Sequence, residues 1–159
     1  MALSEQIVGM HYRHPDCYVV GREKLREYAT AVKNEHPCLH DDDAAAELGH
    51  TALPASLTFI SVFGYQAQSA FFANANIGIN DMQIVQVDQT LKFRKPIHAG
   101  DTLYCDVYVD SVRQAHGTDI IVTKNVVTND RGDVVQESYT TLAGRSGEEG
   151  VEGFSDGTA

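Results

Sequence analysis

The sequence has no tryptophan, four prolines, and three cysteines standing far apart at Cys17, Cys38 and Cys105. An odd, scattered set without a C-x-x-C pair argues against a disulfide framework or a paired-cysteine zinc site, and reads as reduced thiols. Basic residues are also scarce: 12 Lys and Arg face 22 Asp and Glu, a net charge of −10. No basic stripe is available for a phosphate backbone, so nucleic acid is not an expected partner. The long apolar stretch from Leu53 to Phe72 is interrupted by Ser56, Thr58, Ser61, Gln66, Gln68 and Ser69, which makes it a buried helix rather than a membrane span. At the N-terminus, Met1-Ala2-Leu3-Ser4-Glu5-Gln6 has no basic flank followed by an apolar run, so no secretory signal is visible and the cytoplasm is the expected compartment.

What remains is a chain of 159 residues, 43% hydrophobic and 21% charged, the size of one domain. From Arg22 to Lys33 the residues Leu25, Tyr28, Ala29 and Val32 recur at helical spacing, which predicts a short amphipathic helix. Asp41-Asp42-Asp43 stands where a second helix would begin, and the triplet reads as its cap, with Ala44 to Leu48 helical and Gly49 the stop. A third helix is predicted over Ser56 to Phe72, apolar on nearly every side and therefore wrapped by other structure. Gly64 in its middle costs about 1 kcal/mol relative to Ala, so something is expected to approach the backbone there. Leu57, Ser61, Gly64 and Gln68 share one face, either for close packing on a sheet or as a shallow ligand groove.

Beyond Asn80 the period changes to two. Strands are predicted over Ile84–Phe93, Leu103–Val112, Ile120–Thr128 and Val134–Leu142, joined by turn-forming Lys95-Pro96 to Gly100-Asp101, His116-Gly117 and Asn129 to Asp133. Short turns between successive strands imply antiparallel pairing. Counted along an unbroken strand, Gln89 falls on the side of Val85, Val87, Leu91 and Phe93, where a carboxamide needs either a core partner or a ligand. A long buried helix followed by such a meander implies an α+β hot-dog fold, a sheet curled round a central helix. An open sheet edge implies a dimer. Residues 1–145 are expected to form this single domain, and 146–159, rich in Gly, Ser and acidic residues, a disordered tail.

The densest chemistry is the run Lys33-Asn34-Glu35-His36-Pro37-Cys38-Leu39-His40. His36, Cys38 and His40 alternate along it, but Pro37 and the lack of a fourth ligand disfavour a metal site. No cofactor is called for.

The chain to about Gly147 resembles the HadA-type subunits of bacterial (3R)-hydroxyacyl-acyl-carrier-protein dehydratases of mycolic-acid synthesis, within the MaoC-like hydratase superfamily. The residues carrying the resemblance include Ile7-Val8-Gly9-Met10, Gly21-Arg22-Glu23-Lys24, Ala45-Ala46-Glu47-Leu48-Gly49 and Leu57-Thr58-Phe59. They continue with Gln83-Ile84-Val85-Gln86-Val87-Asp88-Gln89, Ala99-Gly100-Asp101, His116-Gly117-Thr118 and Tyr139-Thr140-Thr141-Leu142. The resemblance implies dehydration of a (3R)-hydroxyacyl thioester, which needs a base, an acid and oxyanion donors. Catalytic members carry an Asp-x-Asn-Pro-aliphatic-His loop after a helix like Arg22 to Lys33. Laid on that loop, this chain has Asn34 for the Asp, His36 for the Asn, Pro37 retained, Cys38 for the aliphatic residue and Leu39 for the His. An amide and an alkyl group cannot exchange protons near neutral pH, and His40 lies one residue late.

The reading that follows is a subunit that binds the long acyl chain while a partner hot-dog subunit supplies the catalytic Asp and His. Expected substrate-binding residues are Leu57, Ser61, Gly64, Gln86 and Gln89. Arg22, Lys24, Arg26 and Lys33 are candidate contacts for an acidic acyl carrier protein, or else an ordinary solvated helix face. The competing readings are a self-sufficient hydratase or thioesterase using His36 or His40 with Glu35, and a non-enzymatic acyl-binding module.

Overall fold

The structure is a computed structural model that describes residues 5–147 and 151–155. Its elements are β1 (His11–Arg13), β2 (Tyr18–Val19), α1 (Arg22–Ala31), α2 (Asp42–Glu47), α3 (Ile60–Asn74), β3 (Gly78–Ile79), β4 (Ile84–Phe93), β5 (Thr102–Ala115), β6 (Thr118–Asn129), β7 (Val134–Arg145) and β8 (Phe154–Ser155), with short 3-10 turns between. Six strands form one antiparallel sheet in the order β1-β5-β6-β7-β4, with β2 also on β5, and β3 pairs with β8. This is the expected hot-dog arrangement.

Local chemistry explains the boundaries. The Asp41 carboxylate accepts the Ala44 amide at 2.9 Å and opens α2 one turn after the Pro37–Leu39 turn, while Gly49 takes φ +85° to end it. The β5–β6 hairpin turns on His116 and Gly117, both with positive φ, as a two-residue loop requires. Helix α3 starts at Ile60 rather than Ser56. The Thr58 carbonyl accepts both the Ser61 hydroxyl at 2.6 Å and the Tyr28 hydroxyl at 3.0 Å, so residues 56–59 form tighter turns instead of a regular first turn.

The core lies where α3 meets β5. Phe63, Ala67 and Phe71 of the helix and Leu103, Cys105, Val107 and Val109 of the strand are all buried in one cluster with Leu25, Leu53, Phe59 and Ile121. The expectation that α3 is wrapped on every side needs correction: Ser61, Tyr65 and Ser69, spaced four apart, are exposed, Tyr65 by 68%. That open stripe is one helical face. The outer side of β4 is equally open, since its only strand partner among the described residues is β7, and Val85 and Val87 are exposed.

Two further expectations are overturned. The register of β4 against β7 shifts between Gln86 and Asp88, a bulge that leaves Val87 unpaired. Val85 therefore does not share a face with Gln89: it pairs with Ala143, whereas Gln89 pairs with Thr140, Leu91 with Ser138 and Phe93 with Gln136. The tail is not disordered throughout. Phe154 is fully buried, packs at 6.2 Å from the Phe72 ring, and sits against Gly144, where a β-carbon would lie 2.6 Å from its ring. An aromatic side chain flanked by glycine finds a slot that only glycine leaves open. Residues 1–4, 148–150 and 156–159, which include most of the expected leader-free N-terminus and the remainder of that tail, lie outside the described residues. Among the described residues no helix is long and apolar enough to cross a membrane.

Candidate functional site

A groove of about 240 Å³ opens between α3 and the β4–β7–β6 part of the sheet. Ser61, Gly64 and Gln68 come from the helix, Gln86 and Gln89 from β4, Ser138 and Thr140 from β7, and Asn125 from β6, with Ile60 and Tyr65 completing the wall. Four of the five expected binding residues thus meet in one cavity. The bulge makes this possible. In a regular strand residues three apart point to opposite faces, but with Val87 extruded, Gln86 opposes Leu142 and Gln89 opposes Thr140, two residues of the same inward row of β7.

Leu57 is the exception. It is 67% exposed and lines a neighbouring, larger cleft of about 380 Å³ formed by the segment before α3 and by the end of β4. The two cavities use successive positions of shared elements. On β7 Gln136 serves the cleft, and Ser138 and Thr140 the groove; on β4 Phe93 serves the cleft, and Gln89 and Gln86 the groove. Pro54, Pro96 and Ile97 give the cleft apolar walls, while Ser56 Oγ and Gln136 Nε2 are buried in it without hydrogen-bond partners.

The groove wall was only half legible in the sequence. Asn125, 3% exposed, donates from Nδ2 to the Gly64 carbonyl at 3.3 Å, and a β-carbon on Gly64 would stand 3.3 Å from that nitrogen. The expected close approach to Gly64 is therefore a carboxamide from the sheet. Thr123 donates to Gln68 Oε1 at 2.9 Å, and Gln89 Nε2 reaches Thr140 Oγ1 at 3.5 Å. The available signal for Asn125 and Thr123 was phase: they fall in step with Ile121 and Val127, two residues apart along the strand, so polar residues occupied core positions.

The Asn34–His40 loop is a separate structure. The Asn34 side-chain oxygen accepts the His36 amide at 3.2 Å, His36 Nδ1 lies 3.1 Å from Cys38 Sγ, and His40 Nε2 lies 2.8 Å from the Asn34 carbonyl. Leu39 is 7% exposed and belongs to the buried apolar set, whereas His36 is exposed. The loop residues bond mainly to one another, and none lines the groove or the cleft. Among the described residues no group of three or more His, Cys, Asp or Glu is placed to hold a metal ion.

The basic residues of α1 are engaged within the chain: Arg22 bridges Asp42 at 2.9 Å and Glu23 at 2.5 Å, Arg26 bridges Glu23 at 3.1 Å, and Lys24 stands 3.6 Å from Glu27. Titration is perturbed beside the cleft. His98 lies 3.0 Å from His50, a cleft residue, and burial holds its pKa below the ordinary imidazole value; Asp101 opposes that shift and His50 adds to it. Burial also pushes the Cys105 thiol up to about 12, assisted by Asp106.

The profile of the FAS1-like dehydratase domain region matches residues 6–138. A UPF0336 protein of Mycobacterium leprae is 70% identical over 159 residues, 100% of both chains. Among solved structures, the C-terminally truncated HadBC (3R)-hydroxyacyl-ACP dehydratase complex of Mycobacterium tuberculosis superimposes with a TM-score of 0.81 at 47% identity, covering 87% of this chain and 97% of that one. A MaoC-like dehydratase gives a TM-score of 0.82 at 37% identity, over 89% of this chain and 43% of that one.

Proposed function

This chain belongs to the family of the FAS1-like dehydratase domain region, and from that premise we propose that it is the HadA-type, substrate-binding subunit of a (3R)-hydroxyacyl-acyl-carrier-protein dehydratase. Its similarity to the HadBC complex and to MaoC-like dehydratases supports a role in hydration and dehydration of acyl thioesters. In this reading the substrate lies along α3 over Leu57, Ser61, Gly64, Gln86 and Gln89, and a second hot-dog subunit supplies the Asp and His. The reaction serves the FAS-II elongation of mycolic-acid precursors in the cytoplasm. Residues 1–145 form one MaoC-like domain, to which Phe154 adds a closing strand.

The observation that carries this reading is Leu39. It occupies the position at which catalytic relatives of the family are expected to hold their histidine, and it is packed in the apolar core at 7% exposure. A buried alkyl side chain moves no proton, and Asn34, a carboxamide, stands at the place of the general base. The open edge of β4 and the exposed Ser61-Tyr65-Ser69 stripe supply a surface for the second subunit.

The test is reconstitution. The purified chain is assayed with a trans-2-enoyl thioester, alone and mixed with a hot-dog subunit bearing an intact Asp-x-Asn-Pro-aliphatic-His loop. The proposal expects turnover only in the mixture, with an acyl-chain preference that changes when Leu57 is altered. Turnover by the chain alone, abolished by His40→Ala, would establish the self-sufficient enzyme instead. A mixture no different from the catalytic subunit by itself would leave a non-enzymatic module.

A further inference from the structure

The outer side of the sheet, turned away from α3, presents cations on an otherwise acidic chain. Arg13, Asp106, Val126, Glu137 and Lys92 follow one another across β1, β5, β6, β7 and β4 as direct cross-strand partners, so all five share this side. Lys124 and Tyr139, paired with each other in the next row, share it too. Asp88, two rows further along β4, bounds the cluster. Within it the carboxylates are recessed and the cations stand outside. The Arg13 side chain is 48% exposed over an Asp106 side chain at 14%, and Arg94 is 53% exposed over Glu137 at 15%, which Lys124 also bridges at 3.2 Å. The ion pairs of α1 have the reverse order: Glu23 is 68% exposed against 43% for Arg22, and Glu27 stands further out than Lys24. Tyrosine rings hold the remaining charge of the outer face. Lys92 Nζ lies 4.9 Å from the Tyr139 ring centroid, Lys124 Nζ 5.5 Å from the same centroid, and the Arg13 guanidinium 5.1 Å from that of Tyr104. A ring fixes a cation in place without cancelling its charge, which stays available to a partner.

We propose that the outer face of the sheet around Lys92, Arg94 and Lys124 is the docking surface for an acidic acyl carrier protein. The identity of the partner rests on the dehydratase reading, because a carrier-borne substrate brings an acidic protein to the enzyme. The location rests on charge. A carboxylate-rich surface approaching α1 meets Glu23 and Glu27 first, whereas over the outer face it meets ammonium and guanidinium groups while Asp106 and Glu137 lie beneath them. Pairing of a second subunit along the β4 edge leaves this face uncovered, since edge pairing uses the backbone and the side chains stand perpendicular to it. Arg94 marks the border with the larger cleft: it bonds Glu137 at 2.7 Å and also lines that cleft, so a carrier docked over Lys92 and Arg94 stands at its edge.

The experiment titrates the full-length, isotope-labelled chain with an apo acyl carrier protein of net negative charge and follows the backbone amide resonances. The apo form lacks the pantetheine arm, so only its protein surface can bind. Shifts are expected to gather around Lys92, Lys124 and Tyr139, and the affinity to fall about tenfold between about 50 and about 300 mM salt. Lys92→Glu is expected to weaken binding about fivefold or more, and Lys24→Glu on α1 to change it by less than about twofold. Lys124→Gln serves as the second variant and is expected to weaken binding in the same direction as Lys92→Glu. Shifts gathered on α1, an affinity untouched by Lys92→Glu, equal binding of polyglutamate, or no binding at all would each overturn the proposal. So would shifts of the same resonances on concentrating the chain alone, which would place a second copy on this face. Reconstituted turnover of a carrier-free enoyl thioester without carrier binding here sinks only this proposal. Failed reconstitution beside carrier binding at this face sinks only the dehydratase reading.

Discussion

The side-chain nitrogen of Asn125 donates to the backbone carbonyl of Gly64 across 3.3 Å, tying the middle of α3 to the middle of β6. The contact accounts for a glycine at a position where helix propensity opposes it. A methyl group there gains about 1 kcal/mol of helix stability but crowds the carboxamide at 3.3 Å. Gly64→Ala is expected to leave global stability within about 1 kcal/mol of the parent while weakening substrate binding through the displaced Asn125. Urea denaturation and a binding titration on the same preparation check both halves.

The Asn34–His40 loop separates structural from chemical roles. Leu39→Ala is expected to destabilise by about 2–5 kcal/mol, the usual range for truncating a buried leucine. His36→Ala and His40→Ala, both in the reconstituted enzyme, are expected to change kcat/KM by less than about threefold, since a loss of catalytic proton transfer would cost on the order of a hundredfold or more. Steady-state kinetics with an enoyl thioester decides it. A hundredfold loss on either histidine contradicts the assignment.

Phe154 should matter far more than its place in an acidic terminus suggests. Phe154→Ala is expected to cost about 3–5 kcal/mol by emptying a fully buried site. Gly144→Ala should be nearly as harmful, because the added carbon meets the Phe154 ring at 2.6 Å. Chemical denaturation of the two variants, and of their double mutant, should show that the penalties do not add.

Stability should fall on the acid side through His98. Its folded pKa lies below the ordinary 6.5 because burial disfavours the imidazolium. Between the folded value and 6.5 the unfolded chain binds the proton and the folded one does not, so the folded state loses stability as pH falls through this window and regains it as pH rises. Above 6.5 neither state is protonated and the effect vanishes. Melting temperatures between pH 5 and 8 should show a flatter acid limb for His98→Gln than for the parent.

Thiol chemistry should rank the cysteines. Cys17 is exposed, Cys38 is half-buried beside His36, and Cys105 is buried with its pKa pushed up to about 12. Brief iodoacetamide treatment of the native protein, read by peptide mass spectrometry, is expected to label Cys17 before Cys38 and to spare Cys105 until the protein is unfolded.

Much of the architecture was legible because periodicity is a strong signal. The four long strands, the capping role of Asp41, the stop at Gly49 and the hairpin at His116-Gly117 all appear where hydrophobic phase and turn residues place them. The failures have specific causes. Helix α3 begins late because side-chain hydroxyls from Tyr28 and Ser61 occupy the Thr58 carbonyl, a tertiary detail absent from a local pattern. Composition made the terminus look unstructured, yet Phe154, seated against Gly144, anchors it. Counting along β4 misplaced Val85 and Val87 relative to Gln89, since nothing in that segment marks where an extra residue is extruded. At the site, the four groove residues already singled out were brought together, while Asn125 went unnoticed because a lone asparagine in a strand carries no motif.

The extruded Val87 means that backbone geometry, more than side-chain identity, governs the chemistry of this edge. Straightening the strand at unchanged length would restore simple alternation and turn one of the two glutamines away from the cavity, whereas deletion of Val87 would leave Gln86 and Gln89 two positions apart and on the same side. Homologues that match perfectly at Gln86 and Gln89 and keep this length without the bulge would therefore present different linings to a ligand. A gap of one residue at this point, by contrast, should preserve the lining and should not count against two chains when substrate preference is inferred from sequence comparison.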